Sequence, residues 1–220
     1  MDTRERNAVW LGRMAMALML VVGLVTLPGR LWRGEIYLAV LSAGSCAAVA
    51  LPWVIRRVLQ RRSSAQLEAA LCWFVLLSFS GGMALQAYHW LPLYDKFTHG
   101  LSGVIFALVG LVLYYMARPG QKRQGEDWLQ AALFSFCFAM TTAGVWELYE
   151  YFLSFVMDTD PQNVLTTGVG DTMQDMLACL IGAVVLQPGI RRWYRTGNGG
   201  LLLGAMEHLL KEEREDDAHS

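Results

Sequence analysis

Residues 128–157 read WLQAALFSFCFAMTTAGVWELYEYFLSFVM, a run of thirty residues in which Glu147 and Glu150 are the only charged side chains. A helix that crosses a bilayer needs about 20 consecutive, predominantly apolar residues. This stretch exceeds that length, so it predicts a spanning helix that tilts strongly or protrudes from the membrane. It also places two acids toward one end of that helix.

Five further apolar runs occur in the sequence, and the charged residues are concentrated between them. The runs are Trp10–Leu27, Ile36–Ile55, Leu67–Trp90, Asp95–Ala117 and Asp171–Pro188. The composition agrees, because 55% of the 220 residues are hydrophobic, whereas soluble domains hold about 45–50% even with glycine counted. The sequence therefore predicts an all-α, polytopic membrane protein with about six transmembrane helices in one domain over residues 1–195. A net charge of −1 leaves no basic surplus for binding nucleic acid.

The first run is short and ends before Pro28. No small-residue cleavage site follows it, so we interpret it as a retained helix and not as a signal peptide. The chain beyond residue 195 is expected to form a cytoplasmic tail over 196–220. A glycine-rich break should come first, then a short helix near Leu201–Leu210 and a disordered acidic end.

Lysines and arginines predict the orientation of the helices. With the N-terminus inside, the cytoplasmic segments of the spanning domain hold thirteen of them, whereas the outer segments hold only Arg30, Arg33 and Lys96. The positive-inside rule therefore places both termini in the cytoplasm.

Seven ionisable residues fall within the last three predicted helices, where each needs a reason because a charge in a bilayer is expensive. They are Asp95, Lys96, His99, Glu147, Glu150, Asp171 and Asp175. Glu147 lies nineteen residues beyond Trp128, roughly 28 Å along a helix that rises outward. Asp95 and Asp171 open helices that descend from the outer side. All seven are thus expected at one depth, near the outer face.

The spacing of these residues predicts that they converge. Residues three or four apart share a helix face, so each of the three helices aims one polar pair at a common centre. Five carboxyl groups and one imidazole would repel one another if all the acids were ionised. Shared protons, Lys96 or a bound cation would each relieve that repulsion. One histidine with several carboxylates suits Zn²⁺ or Mn²⁺, and carboxylates alone suit Mg²⁺ or Ca²⁺.

These arguments give two sets of candidate residues. The candidate ligands of a divalent cation are His99, Glu147, Glu150, Asp171 and Asp175. The candidate catalytic residues are a subset of these, namely His99, Glu147 and Asp175. Asp95 and Lys96 support the cluster.

Purely structural roles are the alternative. Asp95 and Asp171 would cap their helices, the latter with Gln174 in a variant of the capping box. His99 would hydrogen-bond a neighbouring helix. The long side chains of Lys96 and Glu150 would reach the headgroup region. These roles do not explain why a histidine and two further acids occur together about one turn inside.

Three spaced motifs carry a family resemblance. They are Asp95-Lys96-x-x-His99, Trp146-Glu147-x-x-Glu150 and Gly170-Asp171-Thr172-x-x-Asp175 followed by Gly182. With them the chain resembles the YjdF-like family of bacterial inner-membrane proteins over about residues 71–186 and, more distantly, the VanZ-like family. In one departure, Cys179 stands where the family pattern usually has asparagine, so any role of that asparagine in orienting a ligand is lost or moved here.

The resemblance implies a multi-pass protein of the bacterial cytoplasmic membrane but little about activity, because these families are poorly characterised. VanZ-like proteins are associated with resistance to the glycopeptide teicoplanin, which points to the cell envelope.

Three functions stay open. A metal-dependent hydrolase would activate water against a lipid or phosphate substrate of the envelope, with His99 as ligand or general base. An ion- or proton-coupled transporter would use the acids as a relay, although the inner halves of these helices offer only Ser135, Thr141 and Thr142. A non-catalytic component would bind lipids or a partner and use the cluster to join helices. Membrane lipids are partners in all three cases, and no catalytic signature decides whether the protein is an enzyme.

Overall fold

The structure is a computed structural model that describes residues 3–58, 64–117, 127–157, 160–199 and 203–204. Within these ranges the regular structure is entirely helical. Six of the helices are long and apolar enough to cross a membrane. They are α1 (Thr3–Trp32), α2 (Ile36–Val58), α3 (Ala65–Ala84), α4 (Tyr94–Met116), α5 (Trp128–Met157) and α6 (Gly170–Thr196). The prediction of an all-α membrane protein with six transmembrane helices is confirmed, while its orientation stays a prediction.

Several helix ends differ from those predicted. The first helix is not short: α1 has 30 residues and continues through Pro28 to Trp32. Similarly, α6 continues through Pro188 to Thr196. An unwound segment in an apolar environment would leave backbone groups without hydrogen bonds, so a proline that removes one such bond is tolerated within the helix. Most of the predicted tail, with its short helix and acidic end, lies outside the described residues.

The third helix ends earlier than predicted and changes its form before it ends. Its last nine residues, Leu76–Ala84, are π-helical. Gln86 then adopts the left-handed conformation with φ of 60°, and a separate short helix follows at Ala87–Trp90. The chain therefore leaves α3 six residues before the predicted end at Trp90.

The described residues divide into two compact units, of which the first lies within Met1–Tyr94 and includes Gly204. Its core contains Ala15 and Met19 of α1 packed with Cys72 and Leu76 of α3. Ser45 of α2 donates a hydrogen bond of 2.8 Å to the carbonyl of Met19. Small and apolar side chains thus bring these three helices together.

Arg30 of α1 is a buried cation within this first unit, with only 6% of its surface exposed. Its guanidinium donates to the Leu38 carbonyl at 2.9 Å and to Ser42 Oγ at 2.8 Å, both on α2. It also donates to the carbonyl of Ala84 at the end of α3. Arg30 therefore links three helices through hydrogen bonds. The sequence could not predict this role, because Arg30 lay between two predicted helices.

The second unit is Asp95–Leu203, and in it α4 and α6 approach each other backbone to backbone. A Cβ atom added at Gly103 would lie 2.1 Å from the Cys179 carbonyl oxygen, and one added at Gly182 would lie 2.0 Å from the Gly100 carbonyl oxygen. Real Cβ atoms essentially never come closer than 3.0 Å to such atoms. Glycine at 103 and 182 therefore permits the close contact between these helices. Helix α5 joins the same unit, where Ser135 Oγ donates to the Ala107 carbonyl at 2.6 Å.

Candidate functional site

The first two turns of α4 and α6 carry most of the candidate residues. Asp95 and Asp171 lie in the first turns of the two helices, where the positive end of the helix dipole favours a carboxylate. His99 and Asp175 follow one turn later on the same faces. Because the backbones touch at Gly103 and Gly182, the side chains above that contact are held close together.

Lys96 lies at the centre of these acids. Its Nζ atom is 2.5 Å from Asp171 Oδ1, 2.8 Å from Asp175 Oδ1 and 3.1 Å from Asp95 Oδ2. One ammonium group therefore faces three carboxyl groups, and only 20% of the lysine side chain is exposed. Such a group neutralises part of the negative charge but cannot neutralise all three acids.

Asp95, His99 and Asp175 form a three-residue group, here called the trio, whose ligand atoms lie close enough together that they could hold a metal ion. His99 Nε2 lies 3.6 Å from Asp95 Oδ1 and 3.9 Å from Asp175 Oδ1, and the three ligand atoms all lie within 4.8 Å of one another. Ligands about 2.1 Å from a tetrahedral metal ion stand roughly 3.4 Å apart. A small contraction of the trio would therefore bring its three atoms to coordinating distance.

Glu147 of α5 is buried beside the trio. It is close enough to His99 to interact with it electrostatically, and only 6% of its surface is exposed. Gln162 Nε2 donates to Glu147 Oε2 at 3.1 Å and to its backbone carbonyl at 3.0 Å. Glu147 Oε1 is buried without a hydrogen-bond partner among the residues that the structure describes. One oxygen of this carboxyl group is thus held in place by Gln162, while the other makes no hydrogen bond to a described residue.

The other two predicted ligands have different surroundings. Glu150 is half-buried and accepts a hydrogen bond of 2.9 Å from Trp146 Nε1. Asp171 binds Lys96 with one oxygen and accepts a hydrogen bond of 2.8 Å from Asn163 Nδ2 with the other. The structure therefore brings His99 and Asp175 together with Asp95, and it leaves Glu147, Glu150 and Asp171 outside the trio.

The alternative role of Asp171, as the cap of its helix, is wrong. Helix α6 begins at Gly170, and Val169 occupies the N-cap position without a side-chain hydrogen bond. Asp171 lies one residue inside the helix, where its carboxyl group contacts Lys96 and Asn163 instead of the backbone.

Gln162 and Asn163, in the loop between α5 and α6, were missed by the sequence analysis. Asn163 adopts the left-handed conformation with φ of 50°, which asparagine tolerates better than most residues. Two neighbouring polar side chains after Pro161 were the only signal, and no helical spacing connected them to the acids. Their contacts hold Glu147 and Asp171 in place.

The polar groups deeper in this unit are engaged with the backbone. The hydroxyls of Ser135 and Thr142 donate to the carbonyls of Ala107 and Phe138, at 2.6 and 2.9 Å. Cys179 is fully buried one turn beyond Asp175. Its sulfur lies 3.9 Å both from Ser102 Oγ and from the carbonyl of Ala139. A thiol is only a weak hydrogen-bonding group, so this position has no strong side-chain donor for a ligand.

The model of the family DUF2238, described as a predicted membrane protein, matches residues 8–195. No curated protein and no solved structure matches the chain. The match supports the prediction that the chain belongs to an uncharacterised family of membrane proteins. The resemblance to the YjdF-like and VanZ-like families stays a prediction.

Proposed function

The chain belongs to the DUF2238 family of predicted membrane proteins, and we propose that it is a metal-dependent hydrolase of the bacterial inner membrane. The trio of Asp95, His99 and Asp175 would bind a divalent cation near the outer face. The substrate would be a lipid or a phosphate compound of the cell envelope. The observation that carries the proposal is the approach of one imidazole nitrogen and two carboxylate oxygens to within 4.8 Å of one another.

The number and type of the ligands favour a catalytic ion over a structural one. Structural zinc sites have four protein ligands, whereas catalytic sites have three and leave a position for water or substrate. One nitrogen and two oxygen ligands suit Zn²⁺ or Mn²⁺. An ion bound there would lower the pKa of a water molecule and so supply a nucleophile at neutral pH.

Glu147 fits the role of general base in such a reaction. Gln162 fixes one of its carboxylate oxygens, and the other is buried without a partner among the described residues. A base of this kind must lie within hydrogen-bond reach of the proton that it removes, directly or through one water molecule. Its electrostatic interaction with His99 supports a position near the trio.

Transport is supported less well. The hydroxyls of Ser135 and Thr142 already donate to backbone carbonyls, and Thr141 is exposed on the surface of α5. A proton or ion leaving the cluster toward the inner face would therefore meet few uncommitted polar groups along the described part of α5. A purely structural cluster is the stronger alternative, because Lys96 joins α4 to α6 through its ion pairs with Asp171 and Asp175.

Metal binding by the purified protein tests the proposal. The bound metal is measured by elemental analysis in lipid nanodiscs, and Mn²⁺ or Zn²⁺ is then titrated while thermal unfolding is followed. We expect one ion per chain and a stabilisation of about 2.7 kcal/mol at a hundredfold excess over Kd. His99→Ala should abolish both effects, whereas Glu35→Gln, which changes an exposed acid of the first unit, should leave them intact. Failure of Zn²⁺, Mn²⁺, Mg²⁺ and Ca²⁺ to bind the unaltered protein would overturn the proposal in favour of a structural role.

Glu147→Gln separates catalysis from binding. This variant should retain the ion but lose at least about a hundredfold in rate, the contribution expected of a general base. The probe is inorganic phosphate release from vesicles that contain phosphatidic acid, followed with the metal-loaded protein. Equal rates for Glu147→Gln and the unaltered protein would exclude Glu147 as the base.

A further inference from the structure

One carboxylate oxygen of the trio is also an ion-pair partner of Lys96. Asp175 Oδ1 belongs to the trio, 3.9 Å from His99 Nε2, and the same oxygen lies 2.8 Å from Lys96 Nζ. The other oxygen of Asp95 is 3.1 Å from the ammonium group. A lysine thus occupies part of the space in which an ion bound to the trio would lie.

We propose that Lys96 is an internal counter-cation, which a divalent ion displaces and a monovalent ion does not. This inference rests on the proposed function, because it concerns the same site. It makes Lys96 the residue that determines which class of cation the site accepts.

Repulsion requires the lysine to move. An ion on Asp175 Oδ1 would lie within a few ångströms of the ammonium group, and at such distances two cations near a protein surface repel each other by several kcal/mol. The acids gain little from binding the ion and the ammonium group together, because each carboxylate oxygen would be shared between the two cations. Binding of the ion therefore requires Lys96 to leave Asp175.

Asp171 gives the displaced lysine an acceptor. It lies outside the trio, 2.5 Å from Lys96 Nζ, and Asn163 holds its other oxygen. The lysine stem has four rotatable carbons, and 20% of the side chain is already exposed. Lys96 can therefore swing away from Asp175 and keep its ion pair with Asp171, so the displacement does not leave a buried ammonium group unpaired.

Charge explains the selectivity. A sodium or potassium ion carries the same single charge as the ammonium group, and it would give up its hydration shell to replace a cation that is already tethered. A divalent ion carries twice that charge and gains the imidazole of His99 as a ligand. The buried oxygen of Glu147 that has no partner among the described residues is an independent sign that the neighbouring space takes a ligand, since it retains capacity for a bound water.

The first test measures Mn²⁺ affinity in nanodiscs at constant ionic strength, with choline chloride replaced stepwise by sodium chloride. The unaltered protein should bind Mn²⁺ with an affinity that sodium does not change. Lys96→Met should bind Mn²⁺ roughly tenfold or more tightly in choline, a gain of about 1.4 kcal/mol per factor of ten, and should lose that gain as sodium rises. Arg33→Met is the matched control, since it removes one positive charge from an exposed pair with Glu35 and should behave as the unaltered protein.

The second test needs no variant at the site, so it holds even if Lys96→Met fails to fold. Lys96 of the unaltered protein is acylated with a small water-soluble reagent, and the modified fraction is read by mass spectrometry with and without Mn²⁺. Displacement predicts faster acylation of Lys96 in the presence of Mn²⁺. Unchanged acylation at saturating Mn²⁺, or equal Mn²⁺ affinity of Lys96→Met and the unaltered protein, would overturn the inference while leaving the proposed function standing. Binding of Mn²⁺ by Lys96→Met alone would overturn both, because a divalent ion would then fail to displace Lys96 from the unaltered protein.

Discussion

Gly103→Ala is the substitution that the contact between α4 and α6 makes most informative. The new Cβ atom would lie 2.1 Å from the Cys179 carbonyl oxygen and 2.9 Å from the Ala183 nitrogen, both of them backbone atoms. Ordinary contacts begin at 3.4 Å. Because backbone atoms cannot rotate away as a flexible side chain can, the two helices must separate by roughly 1 Å at this level.

The magnitude follows from two opposing effects. Overpacking of this kind costs about 1–3 kcal/mol, while replacing glycine by alanine within a helix gains up to about 1 kcal/mol. Gly144→Ala on α5 is the matched control, because nothing lies within 4 Å of the Cβ that it adds. The difference in stability between the two variants isolates the steric cost, and we expect Gly103→Ala to be the less stable by about 1–3 kcal/mol.

The same separation should weaken the site. Asp175 lies on α6, whereas Asp95 and His99 lie on α4 one to two turns from Gly103, so the trio spans the contact. Coordination tolerates errors of only about 0.2 Å in ligand distance, and we expect Mn²⁺ affinity to fall at least about tenfold, or about 1.4 kcal/mol. Thermal unfolding and Mn²⁺ titration in the same nanodiscs measure both effects. Equal stability and equal Mn²⁺ affinity of Gly103→Ala and Gly144→Ala would refute the reasoning.

Three further predictions concern other parts of the molecule. Arg30→Met removes three hydrogen bonds between helices and should cost roughly 2 kcal/mol, at about 0.6 kcal/mol for each such bond in a membrane; an unchanged unfolding temperature would contradict this role. Asn163→Ala removes a donor to Asp171 and should lower the stability by about 1 kcal/mol, again by thermal unfolding, with no loss of bound metal. A cysteine beside Asp160 should react with a membrane-impermeant maleimide from outside the cell, whereas one at position 122 should not, and the reverse pattern would invert the topology.

The positions of the spanning helices could be predicted because each segment that crosses a bilayer must satisfy its backbone hydrogen bonds within itself. An apolar run of sufficient length identifies a helix whatever surrounds it, and the predicted Trp128–Met157 is the helix observed. Two of the errors in helix ends lie at prolines. Proline was taken as the end of the first and last helices, yet Pro28 and Pro188 lie inside α1 and α6, since leaving the helix there would expose backbone groups to an apolar environment.

The sequence could predict which site residues share a helix face, but not which of them contact one another across helices. Helical spacing indicates that Asp95 and His99 point the same way, and this pair does lie 3.6 Å apart. Which acid completes the group depends on how closely α4 and α6 approach, and that distance is set by Gly103 and Gly182. No spacing within one helix contains this information. Gln162 was missed for the same reason, because a loop residue reaches its partner through the tertiary fold and not through a periodic pattern.

The balance of charges favours a ligand over a purely structural cluster. Lys96 of α4 makes two ion pairs with acids of α6, Asp171 and Asp175, and a third with Asp95 of its own helix. The two pairs between the helices could by themselves help to hold α4 and α6 together. Holding the helices together does not require charged side chains, because uncharged asparagine or glutamine hydrogen-bonds across helices without the cost of placing a charge in a bilayer. Glycine already brings α4 and α6 into contact at Gly103 and Gly182, so the helices do not depend on the acids to meet. The negative charges of Asp95, Asp175 and the buried Glu147 therefore repel one another without being needed for packing. A divalent cation with its bound water would compensate these charges, and the same carboxylates would then contribute to binding the ion.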